Sequence, residues 1–258
     1  MKTQNLAQKY TAIYKFHRSY GICEALSRVF SIFKELDLFD LRRKINTRTI
    51  KVEKLEKDTY MPYWPTFTSV ANEMIRFSHN YYISAIRYSD LGRKTVFVDF
   101  GSGLGKNPII AAESRKFDIC GGLEIDLELT TEAHKNLAKI RSSRGRRFDK
   151  SQVFFLTGNV EEAKSINNLV AEIKNKGIEP SLCTLFIYNK NSYGPDVMRK
   201  SIDLVEKEFN SIVYLYQNPI HQYVLREKGF IEFGADDKPN TAHKNFKYRL
   251  YFKHKYAD

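Results

Sequence analysis

The chain has 258 residues, of which 42% are apolar and 14% aromatic, a composition that excludes global disorder and allows one sizeable domain with an appendage. Its formal net charge of +12 attracts polyanions, nucleic acid first, but the charge is spread along the chain and also fits a surface that keeps the protein in solution. Three widely spaced cysteines argue against a disulfide framework and a zinc site, and no apolar run has the length of a membrane span. We therefore expect a cytoplasmic protein without a metal site or membrane contact.

In chain order, the first part of the sequence carries apolar residues at helical spacing, and we expect residues 1–92 to form a helical cap and a substrate-side segment. From Thr95 onward, short apolar runs alternate with amphipathic segments, which is typical of parallel strands buried on both faces and joined by helices. The runs are "TVFVDF", "ICGGLEI", "QVFFLT", "LCTLFIY" and "SIVYLYQ". The predicted helices are 108–117, 127–140, 161–176, 195–208 and 219–228. With a closing antiparallel pair, "FIEFG" and "KYRLYFKHK", residues 93–258 are predicted to form a doubly wound α/β domain.

A glycine-rich turn follows the first predicted strand, in the sequence "VDFGSGLGKNP". Ligands bind beyond the carboxyl ends of strands in such sheets, and glycine lets the backbone approach a ligand closely. We predict that Asn107 caps the next helix and that Pro108 is its first residue. The spacing does not match a P-loop, and Lys106 stands where the dinucleotide fingerprint needs its third glycine.

The pattern Asp-x-Gly-x-Gly-x-Gly at residues 99–105 resembles the first motif of class I S-adenosylmethionine-dependent methyltransferases. "GLEID", about twenty residues later, is similar to the second motif of that family, in which the acidic residue binds the ribose hydroxyls. The resemblance implies a Rossmann-like, seven-stranded-type sheet and S-adenosylmethionine as cofactor. The cofactor-binding residues that it implies are Asp99, Gly101, Ser102, Gly103, Gly105, Glu124, Asn159 at the adenine, and Asn189.

Over roughly residues 39–230 the chain is most similar to a group of poorly characterised bacterial methyltransferases. It also shows a partial likeness to the non-SET histone lysine methylases, through its glycine turn and the asparagines after the fourth strand. Two departures from these patterns affect the acceptor site. Lys190 replaces a proline after Asn189, and the Asn-Pro-Pro-Tyr tetrad of adenine and glutamine amide methylases is absent from the sequence.

Methyl transfer from a sulfonium mainly requires alignment, and a general base is needed only where the nucleophile is protonated. We predict a positioning site formed by Asn189 and Tyr188, closed by Tyr60 and Thr66 from the N-terminal segment. The alternative role of Tyr188 is that of an aromatic residue in the core, and the alternative role of Asn189 is that of a cap on the next helix.

The methyl acceptor is unidentified, and protein lysine or RNA is favoured over a small molecule. A basic stretch at 139–150 offers phosphate contacts if the acceptor is RNA, and its default interpretation is a solvated loop. Its arginines are Arg141, Arg144, Arg146 and Arg147. The alternative function is that of a catalytically inactive, methyltransferase-like, basic binding module.

Overall fold

The structure is a computed structural model that describes residues 38–47, 66–85, 93–143, 149, 152–190, 193–236 and 248–255. The chain divides into two compact units, residues 1–39 and 40–258, and nearly all described residues belong to the second. Two helices precede the sheet, α1 (Leu38–Arg43) and α2 (Thr68–Ala85). None of the described helices has the length and apolar character needed to span a membrane.

The predicted alternation of strands and helices is confirmed. The elements after α2 are β1 (Lys94–Phe100), α3 (Lys106–Ser114), β2 (Ile119–Glu124), α4 (Leu127–Ser143), β3 (Val153–Thr157), α5 (Ala163–Asn175), β4 (Cys183–Asn189), α6 (Pro195–Val205), β5 (Ser211–Gln217), α7 (Gln222–Glu227), β6 (Ile231–Asp236) and β7 (Tyr248–His254). Every residue of β2, β4 and β5 is buried, as expected of strands covered on both faces.

The strands form one seven-stranded sheet in the order β3-β2-β1-β4-β5-β7-β6. The first five strands are parallel, and β7 lies antiparallel between β5 and β6. Strand order reverses beside β1, because the chain runs outward to β3 and then returns to β4. The fold is therefore the predicted Rossmann-like, doubly wound α/β fold, and its ligand crevice is expected at the carboxyl ends of β1 and β4.

The two faces of the sheet are covered differently. Buried residues of α5, α6 and α7 pack with alternate residues of β1, β4 and β5 in one apolar core. The opposite face carries the other alternate residues, and α2 packs there through Tyr82, whose ring meets Phe186 and whose hydroxyl bonds Thr184 at 2.8 Å. At the carboxyl ends of the strands this second face carries the polar residues Asp99, Tyr188 and Gln217.

Candidate functional site

The glycine turn connects β1 to α3 at the point where strand order reverses. Gly101, Gly103 and Gly105 have φ values of +81°, +52° and +81°, a backbone conformation that L side chains rarely adopt. The Gly101 N–H donates to the carbonyl of Leu123 at 2.8 Å, which ties the turn to the end of β2. The turn thus lies beside the residue that ends β2, which is Glu124.

The Glu124 carboxylate contacts the glycine turn. Its Oε2 accepts the Gly103 N–H at 2.7 Å, and its Oε1 accepts the Asp126 N–H at 3.1 Å. Burial raises the pKa of this carboxyl, while backbone donors, those of Asp126 and Gly103 first, act in the opposite direction. Because a carboxylate has about four acceptor positions, the group has capacity for a further hydrogen bond.

The glycines of the turn are required for different reasons. A Cβ on Gly105 would lie 2.5 Å from Cζ of Phe155 and 3.0 Å from Cβ of Ala133, so packing alone demands glycine there. A Cβ on Gly101 would lie 3.1 Å from the hydroxyl oxygen of Tyr193, a residue of the loop after β4. Gly105 therefore packs against Phe155 and Ala133, whereas Gly101 faces the loop after β4.

Ser102 is the polar residue of the turn. It is 5% exposed, and its Oγ has no hydrogen-bond partner among the described residues. It fits only because β2 has no side chain opposite it, since a Cβ on Gly122 would lie 2.4 Å from Ser102 Oγ. The turn thus holds a buried hydroxyl whose hydrogen bonding the described residues do not satisfy.

The predicted role of Asn107 as a helix cap is wrong. Helix α3 begins at Lys106, and its N-cap is Gly105, which makes no side-chain cap bond. The Nδ2 of Asn107 instead donates to Oδ2 of Asp99 at 3.0 Å. Asp99 is 2% exposed, and burial raises its pKa well above the ordinary value, with the Asn107 bond opposing that shift. The Asp99 carboxyl therefore lies beneath the turn.

Tyr188, a predicted catalytic residue, is buried at the carboxyl end of β4, next to Asp99 in the sheet register. Its hydroxyl is 3.0 Å from Oγ1 of Thr66 and donates to Oε1 of Gln217. Burial raises its pKa, and the neighbouring Asp99 carboxyl adds to the shift. The hydroxyl is therefore a neutral hydrogen-bonding group at neutral pH, in contact with Thr66.

Asn189, the other predicted residue of β4, lies on the opposite face of the sheet from Tyr188 because the two residues are consecutive in a strand. Its side chain is fully buried, and its Nδ2 donates to the Tyr214 hydroxyl at 2.7 Å. Helix α6 begins beyond it, with Gly194 as N-cap. The structure thus places Asn189 and Tyr188 at one strand end without bringing their side chains together.

Asn159 lies in the turn after β3, beside the end of β2. Its Oδ1 accepts the Glu161 N–H at 3.0 Å, and its backbone carbonyl accepts the Glu162 N–H at 3.0 Å. The preceding Gly158 N–H donates to the Glu124 carbonyl at 2.8 Å. This network fixes the Asn159 amide at the same edge of the sheet as Glu124.

Lys190 directly follows β4, and its side chain holds a proton less readily than that of an ordinary lysine. Burial lowers its pKa to about 8; the Asp99 carboxyl opposes that shift, and Lys106 adds to it. Between pH 8 and the ordinary lysine value of 10.5, the unfolded chain therefore binds a proton that the folded chain has released.

The stability of the wild-type protein should accordingly rise with pH above about 8, relative to a Lys190→Met variant. Urea unfolding of both proteins at several values between pH 7 and pH 10 measures this difference. Lys200→Met, which removes an exposed lysine, is the control for loss of one charge. A difference between wild type and Lys190→Met that stays constant over this range would contradict the assignment.

Some predicted residues fall outside the described part of the chain. These are Tyr60, Arg144, Arg146 and Arg147, together with the side chain of Arg141 at the end of α4. Across the described ranges, no group of three or more histidine, cysteine, aspartate or glutamate side chains has the arrangement of a metal site.

The sequence analysis did not identify Gln217 or Tyr193 at this edge. It also did not identify the bond between Asn107 and Asp99. Gln217 ends β5 and is fully buried, and its Nε2 has no hydrogen-bond partner in the described structure. The signal that located Glu124, a polar residue ending an apolar run, is also present in "SIVYLYQ" and could have identified Gln217.

No family model matches the chain, and no curated protein matches it either. Among solved structures, a proposed RNA methyltransferase from Pyrococcus horikoshii is 14% identical with a TM-score of 0.47, the match covering 86% of this chain and 98% of the other. Precorrin-6y C5,15-methyltransferase from Geobacter metallireducens is 15% identical with a TM-score of 0.45, over 82% and 100%. TrmK of M. capricolum, solved with S-adenosyl-homocysteine, is 14% identical with a TM-score of 0.42, over 74% and 69%. At these identities and TM-scores, the fold class rests on the sheet order of this chain, and its function on the geometry of its site.

Proposed function

We propose that this chain is an S-adenosylmethionine-dependent methyltransferase. The observation that carries the proposal is the Glu124 carboxylate, which is held at the glycine turn by the Gly103 N–H at 2.7 Å. A carboxylate at the end of β2, beside a turn at the switch point of a doubly wound sheet, is suited to binding two vicinal hydroxyls. The dinucleotide alternative is disfavoured because Lys106 occupies the place of the third glycine.

The residues at the crevice fit this cofactor along its length. Glu124 would bind the ribose hydroxyls, Asn159 would lie at the adenine, and the turn from Gly101 to Gly105 would lie along the amino-acid part. The buried, unpartnered Oγ of Ser102 supports this fit, because a ligand would supply the hydrogen bond that the protein does not. The bound cofactor would supply an activated methyl group on a sulfonium.

The remaining residues would position the methyl acceptor. Tyr188 keeps its proton at neutral pH, because burial raises its pKa, and we assign it a positioning role. Asn189 holds the β4 end through Tyr214, and Tyr60 stays a predicted contact from the N-terminal segment, residues 1–92. Of the two favoured acceptors, RNA is supported by the net charge of +12, which attracts phosphate.

Titration calorimetry with S-adenosylhomocysteine tests the cofactor assignment. We expect binding in the micromolar range, and folded protein that binds none would contradict the proposal. Transfer of tritiated methyl groups into lysate fractions, treated separately with nuclease and protease, then tests catalysis. Binding without any transfer would favour the alternative of an inactive binding module.

A further inference from the structure

A chain of hydrogen bonds at the carboxyl ends of β4 and β5 leaves one buried donor open. Tyr188 has a single proton, which it donates to Oε1 of Gln217, so the Thr66 hydroxyl is the donor in its contact with Tyr188. In this arrangement the Gln217 amide oxygen faces Tyr188. Its Nε2 is consequently turned away from the hydroxyl, and it has no partner in the described ranges although Gln217 is fully buried.

A second amide near Tyr188 leaves one buried acceptor open. The Nδ2 of Asn107 donates to Asp99, and its Oδ1 is buried and unpartnered among the described residues. Asp99, which accepts this bond, is the register partner of Tyr188 on the neighbouring strand β1. The two amides therefore lie near Tyr188 at the same strand ends, and together they offer an N–H from Gln217 and a carbonyl oxygen from Asn107.

Buried polar groups without partners are costly, and a ligand that supplies both partners removes the cost. The matching ligand carries an acceptor and a donor on one edge. A lysine ammonium has three donors and no acceptor, so it leaves the Gln217 N–H unmet. The hydrogen-bonding edge of an unpaired nucleobase carries both kinds of group, and enzymes that modify bases read that edge in this way.

We infer that Gln217 and Asn107 together bind the hydrogen-bonding edge of an unpaired nucleobase, which is the methyl acceptor. The inference rests on the proposed function, whose acceptor class it specifies. The choice of a nucleobase over a peptide carboxamide, which has a similar edge, follows from the net charge of +12 and its attraction for a phosphate backbone.

Binding of homopolymeric single-stranded RNA tests this inference. Fluorescence anisotropy is measured with oligo(A), oligo(C), oligo(G) and oligo(U) of about ten nucleotides, a typical site size, in the presence of S-adenosylhomocysteine. We expect the wild-type chain to prefer one or two bases by about tenfold, since hydrogen bonds to a base edge discriminate at that level. In Gln217→Met this preference should be lost, while the salt-dependent, base-independent affinity stays.

Gln222→Met is the matched control, because Oε1 of Gln222 also accepts a hydrogen bond from a tyrosine hydroxyl, that of Tyr251 at 3.1 Å. This variant should keep the wild-type base preference. Equal binding of all four homopolymers by the wild type, or an unchanged preference in Gln217→Met, would overturn the inference and leave a water molecule as the partner of Nε2. Protease-sensitive, nuclease-resistant methyl transfer would overturn it in favour of a protein acceptor.

Calorimetry on the same three proteins separates this inference from the proposed function. If all of them bind S-adenosylhomocysteine and none discriminates between bases, the nucleobase inference fails alone. If none binds S-adenosylhomocysteine while each remains folded, the methyltransferase proposal fails. A circular dichroism melting curve for Gln217→Met establishes that a lost preference is not a lost fold.

Discussion

Replacing Gly105 with alanine is expected to lower the free energy of unfolding by about 2–6 kcal/mol. Two costs add at this position. The φ of +81° strains any residue with a Cβ, and the new methyl group would lie 2.5 Å from the Phe155 ring, which is itself buried against α4. Urea denaturation followed by circular dichroism measures the loss.

Gly177→Ala is the matched control for the Gly105 variant. Gly177 has nearly the same φ, +79°, but no described atom lies within 4 Å of the position that its Cβ would take. This variant should therefore show only the cost of backbone strain, about 1–3 kcal/mol. Equal losses in the two variants would mean that Phe155 moves aside at little cost and that packing does not require Gly105.

Replacing Glu124 with alanine is expected to weaken S-adenosylhomocysteine binding by about 1–3 kcal/mol, which is the range for hydrogen bonds to a charged group. The variant removes the acceptor for the ribose hydroxyls, and it also releases the Gly103 N–H that Glu124 holds at 2.7 Å. Glu124→Gln should lie between wild type and Glu124→Ala, because one amide oxygen can still accept. Titration calorimetry gives the dissociation constants directly.

Glu128→Ala controls for the loss of one negative charge near the site. Glu128 is exposed in the first turn of α4, four residues beyond Glu124. Its replacement by alanine should leave the binding isotherm unchanged. Thermal unfolding of all three variants establishes that each is folded at the titration temperature. An isotherm for Glu124→Ala that matches wild type would remove the central support for the proposed function.

The sequence predicted the strand ends well because buried parallel strands are short apolar runs, and the residue that ends such a run is conspicuous when it is polar. Asp99 and Glu124 were found in this way. Asn107 was misassigned because capping preferences are local, whereas its side chain is taken by the carboxyl of Asp99, which lies beneath the turn. Gln217 ends an apolar run in the same way but was missed, because its bond to Tyr188 forms only when the sheet brings the two strands together.

The insertion of β7 between β5 and β6 could not be read from local patterns either. The sequence indicated an antiparallel pair, which is confirmed, but the order of strands in a sheet depends on contacts between segments far apart in the chain. The acceptor side is the least predictable part for the same reason, since Thr66, Tyr188 and Gln217 come from three separate segments.

The position of β7 also has a consequence for biosynthesis. Strands β1 to β5 can pair in the order in which they leave the ribosome, but β6 is joined to the sheet through β7, which is made after it. Until residues 248–254 have emerged, the nascent chain exposes one edge of β5, whose residues are all buried in the finished sheet. Completion of the sheet is thus delayed until β7 has been made, and a ribosome stalled shortly before Tyr248 would hold a species prone to aggregation.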